Sequence, residues 1–152
     1  MRQNPIMKNL LYFGIILILA SCGLNELERG STVNVNGREV STVKTGPLEV
    51  MTEDLGKMDW YEAMKACADL GDGWRLPGKD ELNILYNIKD KIGGFASNNY
   101  WSHTESFFQN VWVQGFSGGG QVVIGDYSSA YVRAVRLEGE SEDETNRANR
   151  YQ

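Results

Sequence analysis

The sequence predicts an α+β fold in which two helices pack on short antiparallel strands. Segments typical of β-strands come first, two segments typical of helices occupy the middle of the chain, and further short β-type segments follow. The first β-type segments flank an Asn-Gly pair, which is a strong local indication of a tight hairpin. Because strands and helices do not alternate, this order favours antiparallel pairing within one domain.

The N-terminus combines a positively charged start with a short apolar run. Arg2 and Lys8 give it a positive start, and the apolar run over residues 10–20 has the length of a signal-peptide core but is too short to span a membrane. The run ends in Leu-Ala-Ser before Cys22, whose thiol can carry the lipid. The segment resembles the signal segment of bacterial lipoproteins, so we expect cleavage before Cys22, lipidation there, and anchoring in the bacterial cell envelope. An ordinary secretion signal with a chance cysteine and an uncleaved anchor are the alternatives.

The remaining chain divides into three parts. Residues 22–30 are a short polar tether, residues 31–137 form a single domain, and residues 138–152 form a disordered acidic tail with almost no apolar residue. Removal of residues 1–21 takes two of the 15 basic and none of the 20 acidic residues, which leaves a net charge of −7. Such a chain repels polyanions, so nucleic acid is not an expected partner.

The first half of the domain predicts three strands. Residues 32–35 and 38–43 are β-forming stretches on either side of Asn36 and Gly37, the pair that suits a type I′ turn. Residues 48–51, after a Gly-Pro pair, form a further extended stretch.

Two helices follow. The first is predicted over residues 59–70, with Asp59 as N-cap and Glu62 three residues later. Its apolar stripe consists of Trp60, Ala63, Met64 and Cys67. The second is predicted from residue 79 to about residue 88, after Pro77, with Glu81 at the position that reaches back to the cap. Its inner face consists of Leu82, Leu85 and Tyr86.

The C-terminal part of the domain reads as short strands separated by turns. They are predicted over residues 100–104, 111–116, 121–124 and 131–137, with a glycine turn at 118–120.

Cys67 is a lone cysteine once Cys22 is assigned to lipidation. In an exported protein such a residue is a buried apolar group, a reactive thiol or an intermolecular link. Its position on the helix stripe favours inert burial.

Several sequence blocks, taken in order, resemble one bacterial family. They are residues 59–63 with Cys67, 73–82, 100–105, 111–113 and 131–136. Over about residues 49–137 the chain is similar to the C-terminal domain of bacterial collagen-like adhesins, a family of unknown function. That family is related to the sulfatase-modifying, formylglycine-generating domains, and the resemblance implies a C-type lectin-like fold. In many relatives a second cysteine pairs with the helix cysteine; this chain has Ala134 there, so the resemblance implies a domain without a disulfide.

The most conspicuous residues of these blocks are expected to be structural. Tryptophans supply large core anchors, and arginines within apolar strings are expected to bind carboxylates, with Glu81 or Asp80 as candidate partners. The expected structural residues are Trp60, Trp74, Arg75, Pro77, Glu81, Trp101, Arg133 and Arg136.

No catalytic or metal-binding pattern emerges from the sequence. The formylglycine-generating relatives need a reactive cysteine pair, and only Cys67 is available. The sole histidine, His103, has Ser102 and Thr104 as neighbours, but adjacent strand residues point to opposite faces and form no triad. No His/Cys pair has metal-ligand spacing. We therefore expect no enzyme activity, no metal and no cofactor.

Ligand recognition is the expected function. Aromatic residues are frequent after residue 99, and Phe107-Phe108 lie between two predicted strands beside polar residues that suit a sugar or a protein partner. That loop either is exposed or folds over its own core. The candidate ligand-binding residues are Asn99, Phe107, Phe108, Asn110, Trp112 and Tyr127, within loops 98–100, 107–111 and 118–129.

The expected protein is an envelope-anchored, adhesin-like recognition domain for a glycan or protein ligand. It would be held at the outer membrane and face the periplasm or the cell surface. The alternatives are an accessory structural subunit of a surface assembly and an enzyme of the sulfatase-modifying type.

Overall fold

The computed structural model describes residues 27–35, 37–71 and 73–137. The predicted signal peptide 1–21, the lipidation site Cys22 and the acidic tail 138–152 lie outside these residues. In chain order the elements are β1 (Glu28–Val35), β2 (Arg38–Thr45), β3 (Leu48–Met51), β4 (Gly56–Met58), α1 (Trp60–Ala68), α2 (Lys79–Asn87), α3 (Lys89–Ile92), β5 (Asn99–Glu105), β6 (Asn110–Gly115), β7 (Gln121–Gly125), β8 (Ala130–Val132) and β9 (Val135–Leu137). This is the predicted mixed α+β organisation.

The strands form two sheets. The first has the order β1-β2-β3-β9 and the second the order β4-β8-β5-β6-β7. All pairings are antiparallel except that of β5 with β8. The chain therefore forms three strands of the first sheet, then the second sheet, and returns to the first sheet with β9.

The predicted hairpin is confirmed. Val35 faces Arg38 across the turn, and Gly37 has a φ of +82°, which glycine adopts without steric cost. The Gly37 N–H donates to Asn34 Oδ1 at 2.9 Å and closes the turn. β1 already begins at Glu28, so the last three residues of the predicted tether belong to the first sheet.

The helices begin where predicted. The Asp59 carboxylate accepts the Glu62 N–H at 2.9 Å, and the Glu81 carboxylate accepts the Gly78 N–H at 2.7 Å, so both first turns are capped as expected. α1 ends at Ala68, two residues earlier than predicted. Met64 is 40 % exposed, so its predicted place on the buried stripe is wrong.

The predicted strand 131–137 is two strands, β8 and β9, in different sheets. The chain changes sheet at Arg133 and Ala134, where the fully buried guanidinium donates to the carbonyls of Met51 and Gly94 at 2.9 and 2.7 Å. Because these carbonyls belong to distant segments, the break has no local sequence signature. The short elements β4 and α3 were not predicted, because three and four residues are too few to show a periodic pattern of apolar residues.

Cys67 lies fully buried in α1, as expected. It packs among tryptophan and small apolar residues from both sheets. Burial raises the pKa of its thiol to about 12, so almost no thiolate forms at neutral pH. The prediction that Cys67 is buried on the apolar stripe is confirmed, and its lack of reactivity stays a prediction.

The three arginines are paired with carboxylates as expected, but only one of the three pairs uses a predicted partner. Arg75 binds Glu81 with two hydrogen bonds of 2.7 and 2.8 Å, as predicted. Neither Arg133 nor Arg136 binds Glu81 or Asp80. Arg133 binds Asp54 at 2.8 Å and Arg136 binds Glu49 at 2.7 Å. Glu49 and Arg136 face each other across β3 and β9, so strand register and not sequence proximity selects the pair.

Candidate functional site

Four exposed aromatic side chains gather at one end of the second sheet. Tyr61 is 50 % exposed, Phe107 82 %, Phe108 94 % and Tyr127 75 %. They come from the first turn of α1, from the β5–β6 loop and from the β7–β8 turn. We call these four residues the aromatic end. Large apolar side chains grouped at the surface are typical of interaction sites.

Asp126 holds the three segments of the aromatic end together. Its N–H donates to the Gln109 carbonyl at 3.0 Å, and its carbonyl accepts the Trp60 N–H at 3.0 Å. Its carboxylate accepts the Tyr61 hydroxyl at 2.9 Å. One buried residue therefore fixes the β5–β6 loop, the β7–β8 turn and the start of α1 relative to one another.

The Tyr61 and Tyr127 rings form a pair. Their centroids are 5.8 Å apart and their planes are tilted by 48°. Tyr61 also meets the Trp60 ring edge-on at 5.3 Å, which links the exposed pair to the core. The hydrogen bond to Asp126 is the main reason why the pKa of the Tyr61 hydroxyl lies above its usual value.

The β5–β6 loop is built in a conformation that exposes both phenylalanines. Phe108 and Gln109 have φ values of +54° and +58°, the left-handed region that residues with side chains rarely adopt. The Asn110 side-chain amide donates to the carbonyls of Phe107 and Phe108 at 2.9 and 3.1 Å. The Ser106 N–H donates to the Asn110 carbonyl at 2.7 Å. Strained backbone held in this way is found preferentially at functional sites.

The structure brings four of the predicted ligand-binding residues together: Phe107, Phe108, Asn110 and Tyr127. It resolves the open question about the Phe107-Phe108 loop, which is exposed and does not cover the core. Asn110 contributes by organising the loop and not by exposing its own amide, which is engaged with the loop carbonyls.

Asn99 and Trp112 lie apart from the aromatic end. Asn99 is at the opposite end of β5, roughly 20 Å away along a seven-residue strand. There it adjoins Gly115 and the 118–120 turn. Trp112 is half-buried on β6, with the Lys79 ammonium 3.5 Å from its ring centroid. The predicted loops 98–100, 107–111 and 118–129 therefore do not form one surface.

Tyr61 is the site residue that sequence analysis missed. It follows Trp60, which lies on the buried stripe of α1, and a tyrosine just off that stripe in a first helical turn is a weak indication of exposure. Its proximity to Tyr127 depends on the tertiary fold alone.

The remaining reactive groups are separate from one another. His103 is exposed on β5, with its Nε2 beside Gly78, whereas Cys67 is fully buried in the core. Within residues 27–35, 37–71 and 73–137, no group of three or more His, Cys, Asp or Glu side chains is arranged to hold a metal ion. No helix in this described part is long and apolar enough to cross a membrane.

A cavity of about 260 Å³ lies between the β1–β2 hairpin and α1. Its lining includes apolar Val40, Met51 and Leu55 beside the charged residues Arg38 and Glu53. Those two charges bind each other at 2.9 Å, and Asp54 on the same wall binds Arg133. Because these charges are already paired, the cavity offers a ligand less than the aromatic end does.

A family model described as the Lcl C-terminal domain matches residues 35–136. The match is consistent with the resemblance to adhesins. It gives no support for a relation to sulfatase-modifying domains, which stays a prediction. A search of curated proteins found no match.

Among solved structures, one similar chain comes from a complex of a von Willebrand factor mutant A1 domain with botrocetin. It is 10 % identical, with a TM-score of 0.45, and the alignment covers 63 % of this chain and 95 % of that chain. This level of similarity does not establish a shared fold or a shared function.

Proposed function

We propose that this protein, which belongs to the Lcl C-terminal domain family, is a non-catalytic recognition domain of the bacterial cell envelope that binds its ligand through the aromatic end. The observation that carries the proposal is the exposure of Phe107 and Phe108 on a loop that Asn110 and Asp126 hold in place. Exposed aromatic side chains and left-handed backbone each cost stability. Their combination on one loop is therefore expected where the loop has a function.

The chemistry of the aromatic end supports binding. Tyrosine and phenylalanine bring large contact areas with few rotatable bonds, and aromatic residues are enriched among those that dominate binding energy. Because the loop is already held in its exposed conformation, a ligand meets a surface that needs little ordering. Both a protein surface and the apolar face of a sugar ring fit such a site.

The C-type lectin-like fold implied by the resemblance is part of the proposal. It is supported by the mixed architecture of two small sheets with α1 and α2 and by a large share of irregular chain. In this proposal, as in the sequence analysis, the buried tryptophans and paired arginines maintain the fold, and the loops bind.

Anchoring through a lipid on Cys22 is also part of the proposal. Support comes from the apolar run over residues 10–20 and the small residues before Cys22. β1 begins at Glu28, six residues later, and six residues span at most about 20 Å. A lipid on Cys22 would therefore hold the first sheet close to the outer membrane, on its periplasmic or its outer side.

A non-catalytic role is supported by the state of the two groups that an enzyme would use. The Cys67 thiol is buried with a pKa of about 12, and the hydroxyl of Ser102, next to His103 in the chain, donates to the Trp112 carbonyl at 2.7 Å. If the protein is instead a structural subunit, the aromatic end would bind a permanent partner. If it is instead an enzyme of the sulfatase-modifying type, it would need a reactive cysteine.

Array binding of the purified full chain tests the proposal, with immobilised glycans and immobilised peptides as probes. Phe108→Ala should weaken binding to the recognised probes at least tenfold while the circular dichroism spectrum is unchanged. Ile84→Ala, which removes an equally apolar exposed side chain from α2, should leave binding unchanged. Equal binding by Phe108→Ala and the unaltered chain would contradict the proposal. A stable subunit that co-purifies with the chain and is released by Phe108→Ala would replace it with the structural alternative.

A further inference from the structure

The charged residues within the segments that build the aromatic end are all acidic. The segments that build it, residues 59–62, 105–110 and 125–129, contain Asp59, Glu62, Glu105 and Asp126 and no lysine, arginine or histidine. Glu62 and Glu105 are exposed. These segments therefore carry negative charge, and a partner that lies against them gains affinity and association rate if it carries positive charge.

The tyrosine pair offers a place for a cation. The rings of Tyr61 and Tyr127 are 5.8 Å apart and both are at least half exposed. An ammonium or guanidinium within about 6 Å of a ring centroid is attracted to the π face, by roughly 0.5–1 kcal/mol at exposed sites. The aliphatic stem of the same side chain can cover Phe107 or Phe108.

An open sheet edge leads to the aromatic end. β7 is the last strand of the second sheet, and no described strand pairs with its outer side. The bonds from Gly115 N–H to the Gly120 carbonyl and from Asp126 N–H to the Gln109 carbonyl show that even-numbered residues face β6. The alternation of an antiparallel ladder then turns the backbone groups of Gln121 and Val123 outward.

Nothing in β7 protects that edge. The strand Gln-Val-Val-Ile-Gly has no charge and no proline, and its ladder with β6 runs without a bulge. Edge strands of soluble proteins usually carry such features, because unpaired backbone groups recruit another strand. Tyr127 follows two residues after the end of β7, so a strand added here runs directly onto the tyrosine pair.

From these features, and resting on the proposed function, we propose that the ligand is an extended, basic segment of a partner protein. The segment adds to the open edge of β7 by backbone hydrogen bonds to Gln121 and Val123 and places a lysine or arginine side chain against Tyr61 and Tyr127. Backbone pairing supplies affinity, and the acidic aromatic end selects the charge. A neutral glycan would use neither the charges nor the edge, and a sulfated glycan would be repelled.

Calorimetric titration of the full chain with a peptide probe tests the charge. The probe is a disordered twelve-residue peptide of alternating arginine and serine, and the control replaces each arginine with glutamate. We expect only the arginine peptide to bind at 0.15 M salt. Glu62→Gln with Glu105→Gln should weaken this binding at least fivefold, and Glu39→Gln with Asp90→Asn, which removes equal charge elsewhere, should not.

Two further substitution pairs test the tyrosines and the edge. Tyr127→Ala should weaken binding of the arginine peptide at least threefold, whereas Tyr127→Phe keeps the π face and should bind as the unaltered chain does. Val123→Pro removes one outward N–H and should weaken binding at least tenfold, whereas Val123→Ala should not. If Val123→Pro does not fold, slowed hydrogen exchange at the Val123 amide on peptide addition reports the same contact in the unaltered chain.

The outcomes separate this inference from the proposed function. Equal weakening by the two charge-removing pairs would mean adventitious attraction and would overturn the inference. Phe108-dependent binding of a neutral or sulfated glycan, without peptide binding, would also overturn it but leave a recognition domain in place. If no probe on the arrays binds in a way that depends on Phe108, both this inference and the proposed function are overturned.

Discussion

The Tyr61 hydroxyl donates a hydrogen bond to the buried carboxylate of Asp126 at 2.9 Å, across 65 positions of sequence. The bond ties the first turn of α1 to the β7–β8 turn and sets Tyr61 beside Tyr127. The aromatic end is thus assembled by a polar contact at its base, with the rings left open to solvent.

Removal of this hydroxyl should destabilise the protein while keeping the ring. We expect Tyr61→Phe to lower the free energy of unfolding, and to lower it more than Tyr127→Phe does, because the buried Asp126 carboxylate loses a donor. Tyr127→Phe, in a residue that is 75 % exposed, should change it by less than about 0.5 kcal/mol. Urea unfolding measures both values, and equal effects would show that the Tyr61–Asp126 bond contributes nothing.

Phe108 should be a residue whose replacement stabilises the chain. Its φ of +54° costs a residue with a Cβ roughly 1–2 kcal/mol, and asparagine tolerates this region better. Phe108→Asn should therefore raise the free energy of unfolding by about 1 kcal/mol and abolish ligand binding. Phe107→Asn is the matched control, since Phe107 has an ordinary φ and should show no gain. A loss of stability in Phe108→Asn would mean that the ring packs more than its exposure indicates.

Glu49 should make stability depend on pH in the acid range. Burial alone would raise the pKa of its carboxyl from 4.5, but hydrogen bonds from Thr42, Ser31 and Arg136 outweigh burial and lower it to about 2. A carboxyl whose pKa is depressed in the folded state stabilises the protein fully above about pH 4.5, and this contribution is lost as pH falls towards 2.

The size of that contribution is on the order of 3 kcal/mol. Unfolding by urea at a series of pH values should therefore show a steep loss of stability between pH 4.5 and 2, and Glu49→Gln should flatten it. Glu53→Gln, at an exposed carboxylate, should leave the slope unchanged. The assignment fails if the slope persists in Glu49→Gln.

The Cys67 thiol should be protected until the chain unfolds. In a Cys22→Ala chain, a disulfide reagent at pH 8 should react with Cys67 at least a hundredfold more slowly in buffer than in concentrated urea, because burial keeps its pKa at about 12 and excludes the reagent. Rapid reaction in buffer would show that α1 opens readily and would reopen the question of a functional thiol.

The Arg75–Glu81 pair should couple more strongly than an exposed pair. Its two hydrogen bonds join side chains that are 31 and 26 % exposed, and the Arg75 guanidinium is the main reason why the pKa of Glu81 is lowered. A double-mutant cycle with Arg75→Met and Glu81→Gln should give a coupling of about 1 kcal/mol. Lys65 and Asp69, at 74 and 62 % exposure, should give about 0.3 kcal/mol. Similar couplings would mean that two-point binding adds nothing here.

Local patterns sufficed to predict much of the fold. The Asn36-Gly37 pair located the hairpin, and the Asp59 and Glu81 caps located both helices. Caps and tight turns are made by residues three or four apart, so a short window of sequence contains their cause. The division of residues 131–137 between two sheets escaped prediction, because Arg133 is held by carbonyls of Met51 and Gly94 far away in the chain.

The sequence predicted several residues of the candidate site but not their arrangement in space. Phe107, Phe108 and Tyr127 could be placed in loops from local sequence, and Cys67 on the apolar stripe of a helix. That Tyr61 joins the aromatic end, and that Asn99 and Trp112 lie apart from it, follows from the packing of distant segments. The physical reason is that α1, the β5–β6 loop and the β7–β8 turn meet through the hydrogen bonds of a single residue, Asp126, and such long-range contacts depend on how the whole chain packs.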